Sequence, residues 1–465
     1  MKKNLLVAVA LGAALTASAQ RQWVKQTVGI PVSGTKFAND IKVVDANNVW
    51  AWFRSSSTTT NLRQYSYTKN GGATWTAKTL SATPAVTNLE IANMSVLDSA
   101  TAYASLYPPS NPANQGIYRT VNGGTSWKKV TTGKFTAGSS FVNWVHFWDK
   151  AKGVCMGDPA NGSFEIYTTA DSGTTWTRVD SAMSNAIKPI ASGEYGIVNL
   201  FDARPNGKLW FGTNRGRILT TKDFGVTWTG AQSGFVETDS TKQAFSTIRF
   251  KNDSVGVIVA TKTVTTGTTT SVDSVMVTAT TDGGATFMPW SYSGQWNPGD
   301  VCFVPNTNTM VTVNSLNLSN KFIYPVGSTI STDGGMSFGY QDSVTALTAV
   351  AFANDSIGYA GGIVAAALNA GVYKWDYAPL VKLASALAAT TEVALYPNPA
   401  SNVLNIVVPS KKAQVVIYNM IGEQVATTTV NDGRLVVDIA NYNSGAYVVQ
   451  IIDGKSKFTK KFIKE

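Results

Sequence analysis

Two carboxylates stand where the chain could carry out acid–base chemistry. Asp158 lies in the run GDP, and Glu194 lies in the run SGE. Two such side chains that face each other can hydrolyse a glycosidic bond, one as the acid and the other as the base or nucleophile. We therefore take Asp158 and Glu194 as candidate catalytic residues, with Asp202 and Glu165 as weaker candidates. The competing interpretation of each is a carboxylate that caps a turn.

Other side chains are candidates for binding a ligand. Arg215 and Arg217, in GTNRGR, are candidates for binding an anion, and ion pairing within the fold is the alternative. Trp290, Tyr292 and Trp296 form an aromatic group in which Trp290 and Trp296 are candidates for stacking on sugars. The alternative for these aromatic side chains is packing beneath a loop.

Several kinds of site have no support in the sequence. The only histidine, His146, stands in the apolar run WVHFW, which predicts a core residue. The two cysteines, Cys155 and Cys302, are far apart and are predicted to be buried thiols, so an ordinary zinc site is not expected. We expect no metal and no cofactor. The net charge of +10 is spread out without a basic, aromatic cluster, so we expect no nucleic-acid partner.

A repeated turn motif defines the elements that position these residues. Six copies of Ser/Thr-x-Asp/Asn-x-Gly-x-x-Trp/Phe begin at positions 68, 120, 169, 221, 280 and 331. Glycine permits a tight reversal, the Asp or Asn side chain accepts a backbone N–H two residues on, and the aromatic side chain packs between sheets. The predicted structural pairs are Asn70 and Trp75, Asn122 and Trp127, Asp171 and Trp176, Asp223 and Trp228, Asp282 and Phe287, and Asp333 and Phe338. The motif resembles the Asp-box, or BNR repeat.

A second repeat precedes each box. An apolar strand, usually an Asp or Asn turn, and a second strand begin at 41, 94, 145, 198, 248, 301 and 350. Two hairpins per unit predict a four-stranded blade, so the fold class is all-β, a seven-bladed β-propeller followed by a small C-terminal β-sandwich. The seventh unit lacks a box. Residues 23–28 resemble the strand after a box, so we predict that the N-terminal strand completes the last blade.

The expected domain boundaries follow from composition. Residues 1–19 have the charged start, the apolar run and the Ala-Ser-Ala end of a signal peptide. The propeller is expected over 20–379, a linker over 380–394 and the β-sandwich over 395–465. The insert at 261–274 predicts a long Thr-rich hairpin. No later apolar run has the length of about eighteen residues that a transmembrane helix needs.

The tail carries a specific set of residues. They are Tyr396, Pro397, Asn398, Pro399, Gly422, Gly445, Tyr447 and Lys461. In this order they resemble the type A C-terminal sorting domain of the type IX secretion system. The resemblance implies that the secretion machinery is a partner. It also implies export through the periplasm to the outer cell surface or the medium.

The propeller is similar to the photosystem II stability/assembly factor-like proteins, and the phrase GIYRTVNGGTSW carries that resemblance. It implies a protein-binding platform without catalytic residues. Sialidases also contain Asp-boxes, but their Phe/Tyr-Arg-Ile-Pro marker is absent, since Phe53-Arg54 is followed by two serines. Our leading hypothesis is a propeller that binds a protein or glycan. The alternative is a glycoside hydrolase of the Asp-box propeller type. In both cases we expect the site on the face opposite the boxes.

Overall fold

The computed structural model describes residues 21–57, 61–107, 114–130, 135–136, 140–182, 185–235, 243–266, 269–315, 326–365, 371–377, 393–408, 412–431, 433–453 and 456–465. The chain divides after Tyr377 into two units, which we describe separately. The predicted signal peptide and most of the predicted linker lie outside the described residues. None of the helical segments described is long and apolar enough to cross a membrane.

In its described residues, the first unit contains β-strands and one short 3-10 turn, Asn185–Ile187. The strands up to the third blade are β1 (Arg21–Gln26), β2 (Lys36–Val43), β3 (Val49–Ser55), β4 (Gln64–Thr68), β5 (Thr76–Thr79), β6 (Glu90–Val96), β7 (Ala102–Tyr107), β8 (Gly116–Thr120), β9 (Lys128–Lys129), β10 (Val142–Phe147), β11 (Gly153–Ala160), β12 (Ser163–Thr169) and β13 (Thr177–Arg178). The strands that follow are β14 (Gly196–Ala203), β15 (Leu209–Thr213), β16 (Arg217–Thr221), β17 (Thr229–Gln232), β18 (Gln243–Phe250), β19 (Gly256–Thr266), β20 (Thr269–Thr280), β21 (Met288–Pro289), β22 (Ser293–Gly294), β23 (Asp300–Phe303), β24 (Met310–Asn314), β25 (Gly327–Ser331), β26 (Ser337–Asp342), β27 (Leu347–Phe352), β28 (Gly358–Val364) and β29 (Val372–Tyr377).

These strands form seven antiparallel blades of four strands each. Blades 1 to 5 are β2–β5, β6–β9, β10–β13, β14–β17 and β18–β21, and blade 6 is β23–β26 with the short β22 beside it. Blade 7 is β27–β29 together with β1. In blades 1 to 6 the first hairpin precedes the Asp-box and the second contains it, as the two sequence repeats predict. The predicted all-β propeller fold is confirmed.

The N-terminal strand closes the ring. β1 pairs with β29 along its whole length, and Trp23 lies opposite Trp375. Trp23 is buried against Trp375 and Phe352, and its indole N–H donates to Ser328 Oγ of blade 6 at 2.8 Å. The predicted completion of the last blade by the N-terminal strand is therefore confirmed. The missing seventh box reflects this closure, because a strand from the other end of the chain takes the place of the box hairpin.

The propeller core lies between blades. The described residues form seven apolar clusters there, each shared by two adjacent blades, including the pair of blades 7 and 1. Both faces of a blade are thus covered, so a strand such as β3 is buried at five consecutive positions instead of alternating. Burial on both faces explains why the inner strands read as continuous apolar runs.

The Asp-boxes share one hydrogen-bond network. In the third copy the Thr169 hydroxyl donates to Asp171 Oδ1 and accepts the Gly173 N–H, while Asp171 Oδ1 accepts the Thr175 N–H at 2.8 Å. The carboxylate therefore receives the amide four residues on, and not two as we expected. The other five copies repeat these contacts. The first Thr or Ser of the motif is thus as much a part of the turn as the Asp.

Asparagine replaces aspartate in the first two boxes without loss of the network. Asn70 Oδ1 accepts the Thr74 N–H at 2.9 Å, and Asn70 Nδ2 donates to the Thr74 hydroxyl. In the aspartate copies the same hydroxyl donates to the second carboxylate oxygen instead. The direction of one hydrogen bond reverses, and the turn is kept.

The insert in blade 5 extends two strands. β19 and β20 remain paired as far as Thr266 and Thr269. The long Thr-rich hairpin predicted from residues 261–274 is confirmed.

The second unit is a seven-stranded β domain. Its strands are β30 (Ala394–Tyr396), β31 (Val403–Val407), β32 (Lys412–Asn419), β33 (Gln424–Asn431), β34 (Arg434–Asp438), β35 (Gly445–Asp453) and β36 (Ser456–Lys464). The group β30, β31 and β34 meets the group β33, β32, β35 and β36 at the single pair Asn431–Arg434. Apolar side chains of both groups enclose one core. This arrangement agrees with the predicted small β-sandwich.

The Tyr396–Pro399 segment closes the edge of the last strand. Asn398 Oδ1 accepts the Ile463 N–H at 2.8 Å, and Asn398 Nδ2 donates to the Lys461 carbonyl at 3.1 Å. Ala400 continues this contact through its own backbone. One asparagine amide thus pairs with strand β36 as a neighbouring strand would, and the backbone at the end of this edge, from Lys461 onwards, is covered.

Glycine and tyrosine positions of the tail also have structural tasks. Gly422 has a φ of 84° in the turn that joins β32 to β33, and Asn419 holds that turn by accepting the Glu423 N–H. Tyr447 stacks on Phe462 at 5.3 Å between ring centroids. These residues stabilise the domain, and Lys461 is exposed.

Replacing Trp23 tests the closure of the ring. We expect Trp23→Ala to lower the free energy of unfolding of the propeller by about 3–5 kcal/mol, because a buried aromatic side chain that joins blades 6 and 7 is lost. Chemical denaturation measures the change, and Gln22→Ala, which alters an exposed position of the same strand, is the control. Equal stability of the two variants would contradict the closure.

Replacing Asn398 tests the closure of the sheet edge. Asn398→Ala removes two hydrogen bonds worth about 1 kcal/mol each, so we expect the Ile463 amide to exchange its hydrogen faster. Hydrogen exchange with mass spectrometry measures this, and Asn402→Ala at an exposed position is the control. Unchanged protection at Ile463 would show that Asn398 does not hold the edge.

Candidate functional site

Asp158 and Glu194 line one surface pocket. Asp158 lies two residues before the end of β11, and Glu194 lies in the connection from blade 3 to blade 4, so both stand on the face opposite the Asp-box turns. The cavity has a volume of about 390 Å³, and its other lining residues are Pro159, Pro189, Ala191, Ser192, Gly193 and Tyr195. We call it the Asp158 pocket.

Both oxygens of Glu194 are occupied by hydrogen-bond donors. Oε1 accepts from the Thr213 hydroxyl at 2.8 Å and from Arg217 Nε at 3.0 Å. Oε2 accepts from the Ile190 N–H at 2.8 Å and from Arg217 Nη2 at 3.1 Å. The Glu194 side chain is buried. These contacts hold Glu194 as the partner of a buried arginine, and each of its oxygens already accepts two hydrogen bonds.

Asp158 is held at one oxygen only. Its Oδ1 accepts from Asn143 Nδ2 at 2.7 Å and from the Gly196 N–H at 3.1 Å. Burial raises the pKa of Asp158 to about 6, although both hydrogen bonds oppose this shift. The residue is half-buried, and its second oxygen has no hydrogen-bond partner among the described residues. Asp158 is thus a carboxylate with free acceptor capacity at the base of a pocket.

The two weaker carboxylate candidates have other positions. Glu165 is buried and accepts the N–H and the hydroxyl of Thr136, with Arg178 3.7 Å away. Asp202 lies on the inner strand β14, two residues before the turn of its hairpin, which spans Arg204 to Lys208.

The proposed binding residues are occupied within the fold. Arg215 Nη2 donates to the Ser192 carbonyl at 2.9 Å, which ties a turn of blade 4 to the wall of the Asp158 pocket. The indole N–H of Trp290 donates to the Gly335 carbonyl at 3.0 Å. Trp296 is 2 % exposed and packs on Phe338. The two tryptophans thus join blades 5 and 6.

The axial channel carries a second group of polar side chains. In every blade, the residue two positions before the turn of the first hairpin lines the channel. These seven residues border a cavity of about 310 Å³ and are Lys42, Ser95, His146, Asp202, Arg249, Cys302 and Ala351. Asp40 lines the same cavity. Its Oδ2 accepts from Asn199 Nδ2 at 3.0 Å, and since blades 1 and 4 are not neighbours, this hydrogen bond spans the channel.

The channel charges are paired with one another. Arg249 Nη2 lies 3.0 Å from Asp300 Oδ1. Burial alone would lower the pKa of Arg249, but the carboxylates of Asp300, Asp40 and Asp202 outweigh burial and raise it. Burial raises the pKa of Asp40 and of Asp202, and Arg249 opposes both shifts. The arginine thus neutralises part of an acidic channel.

Channel carboxylates also join neighbouring blades. Asp202 Oδ2 accepts the Phe250 N–H at 2.7 Å, and Asp300 Oδ2 accepts the Val350 N–H at 3.0 Å. Asn93 exchanges two hydrogen bonds with the backbone of Val145 in the same way. Inner strands of adjacent blades are linked through such side chains, so these polar residues have a structural use.

The histidine and the cysteines have no metal-binding arrangement. His146 was expected in the core, but it is half-buried and faces the channel, edge-on to Trp148. Burial, with a smaller contribution from Lys42, lowers the pKa of His146 to about 3, so the imidazole is neutral. Cys155 and Cys302 are free thiols, of which Cys302 is half-buried in the channel. In the part of the chain that the structure describes, no three His, Cys, Asp or Glu side chains are grouped to hold a metal ion.

Sequence reasoning missed Asp40, Arg249 and Asp300. Each is a charged residue on the inner strand of a blade, Asp40 on β2, Arg249 on β18 and Asp300 on β23. A side chain at such a position reaches either a neighbouring blade or the channel. Without the register of all seven hairpins, the sequence does not show that these residues meet.

The tail matches a known family. Residues 394–465 match the model of the secretion system C-terminal sorting domain. No curated protein sequence matches the chain. The family match agrees with the resemblance found in the tail motifs.

Solved structures resemble the propeller. YCF48 from Cyanidioschyzon merolae is 16 % identical with a TM-score of 0.51, and the alignment covers 77 % of this chain and 99 % of that chain. YCF48 bound to D1 peptide is 14 % identical with a TM-score of 0.49, at 77 % and 96 % coverage. PorZ, a surface component of the type IX secretion system of Porphyromonas gingivalis, is 14 % identical with a TM-score of 0.47, at 90 % and 58 % coverage. Identities at this level show the fold alone. The chain therefore combines a YCF48-like propeller with a secretion system C-terminal sorting domain.

Proposed function

We propose that the propeller is a non-catalytic binding module that takes a protein or glycan ligand outside the cell. The C-terminal sorting domain indicates secretion across the outer membrane by the type IX system. The propeller is then the part of the exported protein that meets a ligand. Of the two ligand classes, a protein fits the surface better.

The saturation of Glu194 is the observation that carries this proposal. Hydrolysis by two carboxylates needs both side chains free to exchange protons or to attack the sugar. Glu194 accepts four hydrogen bonds from Thr213, Ile190 and Arg217, and it is buried. Asp158 is then a single carboxylate in its pocket, which suits binding and not acid–base catalysis.

The surface around the pocket favours a protein ligand. Ile190 and Tyr195 are 54 % and 49 % exposed, and Pro159 and Pro189 line the cavity beside them. Apolar side chains around one charged group are typical of the centre of a protein interface, where tyrosine is enriched. The two tryptophans that could have stacked on sugars are used between blades.

A glycoside hydrolase is the second candidate. The pKa of Asp158, raised to about 6, suits a general acid, and Glu194 lines the same pocket. This function would require Glu194 to leave Arg217 when a substrate binds.

Replacing Glu194 separates the two roles. We expect Glu194→Gln to lower the free energy of unfolding by about 3 kcal/mol, because the buried Arg217 loses its counter-charge. Chemical denaturation measures the loss, and Asp180→Asn, an exposed carboxylate on the same connection, is the control. A Glu194→Gln protein with wild-type stability would remove the main support for the structural role.

Binding and hydrolysis are tested on the mature protein. We expect no cleavage of any oligosaccharide on a glycan panel with hydrolysis assays.

We also expect that surface proteins captured by the wild type are lost when Ile190→Ser and Tyr195→Ala are combined, but are retained by Val226→Ser on the Asp-box face. Cleavage of any glycan that Asp158→Asn abolishes would establish the hydrolase instead.

A further inference from the structure

The Asp158 pocket is built before any ligand arrives. Arg217 donates to the carbonyls of Ala186 and Lys188 at 2.8 and 2.9 Å, and Glu194 accepts the Ile190 N–H. One buried ion pair thus fixes the backbone from Ala186 to Glu194, which forms one wall of the pocket. Arg215 holds the same wall at Ser192. Because this wall is already ordered in the free protein, binding a ligand costs less conformational entropy.

The pocket is amphipathic in a specific way. Pro159, Pro189, Ala191 and the Tyr195 ring provide apolar walls, and Asp158 stands among them. Asp158 has one oxygen held by Asn143 and Gly196, while its other oxygen is without a partner in the described residues. Apolar walls that surround a single carboxylate match a side chain with an aliphatic stem and a cationic end.

The charges near the pocket leave this carboxylate uncompensated. Glu194 and Arg217 neutralise each other at 3.0 Å. Arg215 and Lys188 lie on the segments that border the pocket, and Arg178 donates to the Ala160 carbonyl next to Pro159; no ion pair joins any of the three to Asp158 in the described structure. The pocket therefore keeps one negative charge in a partly desolvated place, where a cation from a ligand would replace the missing hydration.

We propose that the Asp158 pocket receives a lysine or arginine side chain of a protein partner. The stem packs between Pro159, Pro189 and the Tyr195 ring, and the ammonium or guanidinium group donates to the free oxygen of Asp158. This inference rests on the proposed protein-binding function and names what its pocket selects. Charge complementarity and the apolar walls together distinguish a basic side chain from an acidic or a purely apolar one.

The proposal fixes the direction of a pH effect. The ordinary pKa of a carboxyl is near 4, and burial raises that of Asp158 to about 6 in the free protein. A bound cation favours the carboxylate, so protons compete with the basic side chain for Asp158. Binding should therefore be full above pH 7 and should weaken as the pH falls through 6.

A peptide selection tests the proposal. The mature protein is immobilised, and a random heptapeptide phage library is panned on the wild type, on Asp158→Asn and on Asp180→Asn. We expect the wild type and Asp180→Asn to enrich peptides with a lysine or arginine at one fixed position. We expect Asp158→Asn to lose that preference while its melting temperature stays at the wild-type value.

A titration then measures the contact itself. A synthetic copy of one enriched peptide is compared with the same peptide carrying Nε-acetyl-lysine or norleucine at the fixed position. Removing one charge-assisted hydrogen bond should weaken binding about tenfold. The wild-type affinity should also fall between pH 7 and pH 5, and the Asp158→Asn affinity should not.

The outcomes distinguish the basic-side-chain pocket from the proposed protein-binding function on which it rests. Enriched peptides without a basic residue, or a basic preference that survives Asp158→Asn, would overturn the basic-side-chain pocket and leave protein binding supported. A wild-type protein that enriches no peptide and captures no surface protein would count against both.

Discussion

Closure of the ring is the constraint on which the first unit depends. Every core cluster is shared by two adjacent blades, so an open ring would expose an apolar face on each end blade. The chain solves this by pairing β1 with β29 and by burying Trp23 between blades 6 and 7. The same pairing covers the edge of β29 and gives the seventh blade its fourth strand. The two ends of the repeat region thus stabilise each other, and the loss of either would affect all blades.

Closure also explains the charged residues of the channel. Polar side chains link the inner strands of several adjacent blades, while blades 7 and 1 also share a short backbone pairing between β28 and β2. Asn93, Asp202 and Asp300 make such links, and Arg249 balances the carboxylates. The charged side chains of the channel resemble an active site in composition, but their contacts link the blades of the propeller.

The Asp158 pocket lies on the face of the propeller opposite the Asp-box turns. There a buried ion pair between Glu194 and Arg217 shapes a loop, and Asp158 keeps an unoccupied oxygen behind apolar walls. The two proposed catalytic carboxylates do meet at one pocket, but their environments differ in kind. Glu194 is neutralised by Arg217, and Asp158 has no ion pair within the described residues. The C-terminal unit matches a sorting domain and has its own core.

The sequence by itself determined the blade count, the place of closure and the nature of the tail. Each of these depends on local patterns, such as the box at positions 68 to 331, the strand-like residues 23–28 and the run Tyr396–Pro399. Turn chemistry and strand periodicity act over a few residues, so they can be read without the fold. The sequence could not distinguish Glu194 from Asp158, nor show that Asp40, Asn199 and Arg249 meet in the channel. Their environments are set by residues from other blades, and burial and charge pairing are properties of the assembled ring. Only the tertiary structure decided which carboxylate is paired and which is free.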